Sequence, residues 1–94
     1  MFLHQIIMLG VFGLNGFEPW SFSVQDDEVY DIHRVRYTEY WRGGMVRYIC
    51  DVTRKGDEEE CLFSMAVIYD SSRERWYIIT KSALADNDVL ISSD

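Results

Sequence analysis

Hydrophobic and polar residues alternate along most of this chain, and short polar turns cut the alternation. Asn15-Gly16 in LNGF is the first such turn, a pair suited to type I′ geometry because both central residues there take positive φ. Folding the chain at that point sets Val11 opposite Trp20, Leu9 opposite Phe22 and Ile7 opposite Val24, an apolar row against an apolar row. A helix over residues 2–14 is the rival, but Gly10 and Gly13 would each cost it about 1 kcal/mol. Gly43-Gly44 in WRGGMV marks the next turn. There Trp41 meets Val46, Tyr37 meets Cys50 and Val35 meets Val52 on one face. On the other face Arg36 meets Asp51, an opposite-charge cross-strand pair.

TRKGDEEECL supplies the third turn. With Lys55 to Glu58 as a four-residue loop, Arg54 sits opposite Glu59, Val52 opposite Cys61, Cys50 opposite Phe63 and Tyr48 opposite Met65. YDSSRERWYI closes the series: a turn centred on Ser72-Arg73 sets Asp70 against Arg75, Tyr69 against Trp76 and Val67 against Ile78. SVQDDEVY holds a further turn, and DVLIS at 88–92 reads as a short final strand.

These segments predict a single all-β domain over residues 1–94, an antiparallel meander of six or seven short strands. One face is apolar almost throughout, so the sheet must curl into a small barrel or fold over as a two-layer sandwich. The alternative is α+β, with residues 2–14 as a helix on a four- to five-stranded antiparallel sheet. The composition fits a folded chain of this size, being 48% hydrophobic and 15% aromatic with one proline. At this length only about 60–65% of the unfolded surface is buried, so the core must be efficient.

Charge narrows the function classes. The net charge is −7, yet the first 33 residues carry no Lys or Arg, and all nine bases fall between 34 and 81. Such a chain repels phosphate backbones, which argues against direct nucleic-acid binding and for a protein partner with a basic surface. The apolar start contains His4, Gln5, three glycines and Asn15. It falls short of the roughly 20 apolar residues of a spanning helix and lacks a signal peptide's basic start. The expectation is a cytoplasmic protein with no membrane association.

Three constellations could carry chemistry. Asp31, His33 and Glu39 would share the inner side of a straight strand, where a carboxylate could orient the imidazole for acid–base work. A β-bulge between Asp31 and Arg34 would instead turn Ile32 inward and both polar groups out. The opposite side of the central strands presents Arg34, Arg36, Tyr40, Arg42 and Arg47, a row able to grip phosphates or an acidic protein surface. Solvated positions paired with acids explain the same row.

The acids form the third constellation: Asp26, Asp27 and Glu28, then Asp57, Glu58, Glu59 and Glu60, then Asp86 with Asp88. Converging in space, they could imitate a row of phosphates; dispersed, they are solvated loop tips. Cys50 and Cys61 lack zinc-site spacing and read as reduced thiols. No phosphate loop, nucleophile elbow or zinc-protease motif occurs, so neither cofactor nor metal is expected.

The sequence therefore predicts a non-enzymatic acidic interaction protein, an inhibitor or adaptor that occludes a basic surface. One alternative is a small ligand-binding barrel or enzyme using Asp31, His33 and Glu39. Another is a structural subunit in which residues 2–9 add a strand to a neighbour's sheet, with oligomers formed through exposed strands.

Overall fold

The computed structural model describes residues 1–14, 16–25, 28–59 and 61–91. Among them are seven strands and no helix: β1 (Phe2–Gly13), β2 (Gly16–Gln25), β3 (Glu28–Trp41), β4 (Met45–Arg54), β5 (Phe63–Asp70), β6 (Arg75–Thr80) and β7 (Val89–Leu90). Each of the first five pairs antiparallel with the next, and β1 also pairs with β6. The sheet thus closes on itself as a six-stranded barrel, with β7 added against Phe2 and Leu3 of β1. Closure answers the problem of the apolar face by turning it inward.

The interior is built on Phe22, Cys50, Val52 and Val67, all fully buried, with Ile6, Val24 and Ile78. Met8, Tyr30, Ile32, Val35, Tyr48, Met65 and Trp76 pack around them. Burying side chains of this size contributes roughly 1.5–3 kcal/mol each, which is how so short a chain offsets its chain entropy. A second cluster lies outside the barrel wall. Leu3, Ile68 and Tyr77 are covered there by Met45, Ile79 and Ile91. The amide of Ile91 donates to the Met1 carbonyl at 2.9 Å, which holds the C-terminal segment across that wall.

The β5–β6 hairpin has the expected register: Val67 faces Ile78, Tyr69 faces Trp76 and Asp70 faces Arg75. Asp70 accepts bonds from the Ser72 hydroxyl at 2.7 Å and from the Ser72 and Arg73 amides at 3.0 and 3.4 Å. That turn is closed by its own side chain. At the β4–β5 connection the register lies two residues from the expected one, with Val52 opposite Phe63 and Cys50 opposite Met65. A slip of two keeps every side chain on its face. It lengthens the connection to residues 55–62 and leaves Arg54 to Glu28, at 3.8 Å, rather than Glu59.

The β3–β4 ladder slips twice, between Ile32 and Arg34 and between Val35 and Tyr37. The first slip is the bulge considered above; it pairs Ile32 with Val52 and carries Ile32 into the core. Tyr37, expected inside, is 52% exposed. Arg34 becomes the ladder partner of Asp51, while Arg36 still reaches that carboxylate at 3.6 Å.

The largest correction concerns β1. Gly13 faces Gly16 and Phe12 faces Phe17, and a slip between Leu9 and Gly10 then sets Met8 opposite Phe22. Ile6 and Met8 point inward, whereas Ile7 and Leu9, expected in the core, are 68% and 60% exposed. Asn15 lies outside the described residues. Gly10 explains the slip. A Cβ there would stand 2.3 Å from the Glu18 carbonyl oxygen and 2.6 Å from the Phe17 ring, so only glycine lets Phe17 lie across β1.

Candidate functional site

The meander decides where each connection falls. Because neighbours run in opposite directions, the ends of β2, β4 and β6 lie beside the starts of β1, β3 and β5: Gln25 faces Glu28, Arg54 faces Tyr30, Val52 faces Phe63 and Thr80 faces Phe2. The connection after Gln25, the 55–62 segment and the chain following Thr80 therefore leave from one end of the barrel. All three acidic stretches belong to these connections. Every second link of a meander falls at the same end, so the turn count alone carried this signal.

Asp57, Glu58 and Glu59 are exposed there and form no ion pair among the described residues. Asp26, Asp27 and Glu60 lie outside the described residues. Glu28 is engaged locally, accepting from the Tyr30 hydroxyl at 3.1 Å and facing Arg54. Burial and then this carboxylate push the Tyr30 phenol up. Asp86 is exposed, but Asp88 turns inward.

Asp88 accepts from the Leu84 and Ala85 amides at 2.6 and 3.1 Å and meets Nδ1 of the buried His4 at 2.9 Å. The other His4 nitrogen lies 3.1 Å from the Val24 carbonyl oxygen. The ring thus joins the C-terminal segment to β1 and β2. Burial raises the Asp88 pKa, but the two amides and the imidazole outweigh it and hold the carboxyl below the usual range.

The arginine row is largely neutralised within the chain. Arg34 and Arg36 both reach Asp51, at 3.1 and 3.6 Å. Arg47 meets Glu39 at 3.1 Å and stands 5.8 Å over the Trp41 ring. Arg42 and Tyr40 are exposed beside them, and Arg42 forms no ion pair among the described residues. The row is a set of strand-surface pairs more than a free cationic face.

Asp31, His33 and Glu39 are not brought together. The bulge leaves His33 exposed, with Nε2 2.8 Å from the Thr53 hydroxyl, and Glu39 binds Arg47 and the Trp41 indole. His33 does line a groove of about 540 Å³, with Trp20, Arg34, Thr38 and Tyr40. This groove marks a split in the wall. β2 pairs with β3 only as far as Ser21 and Asp31, so residues 16–20 and 32–41 face each other without ladder bonds. Residues 2–9, in contrast, lie within a strand already paired to β6, β7 and β2.

Cys50 is buried and Cys61 exposed, and both are free. Burial, with the Asp51 charge adding to it, pushes the Cys50 thiol up to about 11. Among the described residues no group of three or more His, Cys, Asp or Glu is placed to hold a metal ion, and no helix is long and apolar enough to cross a membrane. No family model, curated protein or solved structure matches the chain.

Proposed function

We propose that this protein is an interaction module that covers a basic surface of a protein partner with the acidic end of its barrel, as an inhibitor or adaptor. The observation that supports this reading is that three connections leave from one end of the barrel, with Asp57, Glu58, Glu59 and Asp86 exposed on them. Asp57, Glu58 and Glu59 are exposed and form no ion pair among the described residues, so a cationic surface meets carboxylates that are free to engage it. Long-range attraction from such an end would speed encounter more than it would deepen affinity. The resulting mechanism is electrostatic steering followed by steric occlusion. A nucleic-acid-binding enzyme fits the partner class, because the acids would occupy the surface that phosphates otherwise take.

The enzyme alternative receives less support, since Asp31, His33 and Glu39 share no contact. The test is a pull-down from the native host with the full chain and with a quadruple variant, Asp57→Asn, Glu58→Gln, Glu59→Gln and Glu60→Gln. The bound protein should elute as salt shortens the screening length from roughly 10 Å at 0.1 M toward 3 Å at 1 M. The variant should lose it. Equal recovery by the two proteins, with no response to salt, would end the proposal.

A further inference from the structure

The opposite end of the barrel holds a cavity with a different chemistry. It measures about 290 Å³ and is lined by Phe12, Phe17, Tyr48, Tyr69, Trp76 and Glu74. Trp76 is its hub, with the centroids of Tyr69, Tyr48 and Phe17 at 4.8, 5.6 and 5.7 Å. Phe12 meets Phe17 edge-on at 5.2 Å. None of these pairs is parallel, their planes crossing at 33° to 66°. Rings set at such angles make a concave wall instead of a flat stack.

Glu74 is the one charged side chain in that lining. It is also the one non-glycine residue with positive φ among the described residues, at 54°. The last position of this turn suits glycine or asparagine, which take that conformation with little strain. Glutamate there is conformationally unfavourable, and strain of this kind persists where a site needs the side chain. A neutral apolar ligand would gain nothing from a carboxylate. A cation would be attracted by both the ring faces and the carboxylate, and a methylated ammonium leaves water more readily than a strongly hydrated primary one.

We propose that this aromatic mouth binds a quaternary ammonium group, with Glu74 as its counter-ion. The cavity suits a head group, being at the small end of the ligand-site range. Whatever bears the head group has a path outward, because the split-wall groove shares Phe17 and Tyr48 with the mouth. The same chemistry is offered by a free choline-like molecule and by a trimethyllysine side chain on a protein segment. This site is independent of the acidic end.

Tryptophan fluorescence of the full chain tests the proposal, with choline, its neutral carbon isostere 3,3-dimethylbutan-1-ol, and a peptide with and without trimethyllysine. Choline or the trimethylated peptide should bind at least about tenfold more tightly than its uncharged or unmethylated counterpart. A peptide much tighter than choline assigns a protein-borne ligand, and equal affinities assign a free one. Glu74→Gln should weaken binding about fivefold or more while the protein stays folded. Glu74→Gly should lose binding as well, yet melt a few degrees higher as the backbone strain is released. Full affinity in Glu74→Gln, equal binding of the neutral isostere, or no binding of either cation up to about 50 mM would overturn the assignment.

Discussion

The two ends of the barrel solve opposite problems with the same number of strands. At one end the connections carry acids: the 55–62 segment is eight residues long, and Asp57, Glu58 and Glu59 extend into water. At the other end the links are short, two to four residues, and rings pack across them. The tips at that end are also clasped, since the Ser71 amide and hydroxyl both donate to the Gly44 carbonyl, at 3.0 and 2.7 Å. The acidic end gives up packing to keep charge accessible. The aromatic end gains packing around Trp76 and keeps its charges, Arg42, Arg73 and Glu74, on the exposed tips. Stability and recognition of a basic surface should therefore separate along the barrel axis.

Substitution at the aromatic end should have the largest effect on folding. Trp76→Ala removes the ring that Phe17, Tyr48 and Tyr69 pack against, and a loss of about 3–5 kcal/mol is expected in a denaturant titration. A loss under about 1 kcal/mol would place the stabilising contacts elsewhere.

The His4–Asp88 contact should have an intermediate effect. Asp88→Ala strips two amides and an imidazole of their acceptor, which costs about 1–3 kcal/mol near neutral pH. The Asp88 pKa is depressed in the fold, so its contribution is present in full above the unfolded value of about 3.9. It is lost as pH falls through the lower folded value. Wild type and variant should differ at pH 7 and converge in acid. A constant gap down to the lowest pH would mean that the carboxylate charge contributes nothing.

The smallest effect on folding should come from the acids of the 55–62 segment. The quadruple acid variant should unfold within about ±0.5 kcal/mol of wild type, because Asp57, Glu58 and Glu59 are exposed and form no ion pair among the described residues. A large change in either direction would collapse the contrast between the ends.

How far the sequence revealed this arrangement depended on local chemistry. The β5–β6 register was legible because Asp70, Arg75 and the Ser72 hydroxyl fix the turn within a few residues. The register of β1 was not. Residues 6 to 9 are all apolar, so alternation gives no sign of which pair points inward, and the slip at Gly10 is set by a distant ring, that of Phe17. The two bulges of β3 were equally hard to read, since Arg34 and Arg36 can both satisfy Asp51. The acids themselves were plain in the sequence. That the connections bearing them share one end was available from the parity of the turns. The aromatic mouth was harder to see, because it joins residues from five strands and the turn before β6.

Closure through β1 has a consequence for how the molecule comes into being. Phe2 pairs across to Thr80, so β1 finds its second neighbour only once β6 has been made. Until then Ile6 and Met8 have half a wall to lean on. Sequence separations this wide slow a chain's search for its native pairing. A nascent barrel of this design is at its most adhesive just before β6 closes it, and haste in that strand matters more than order in β1.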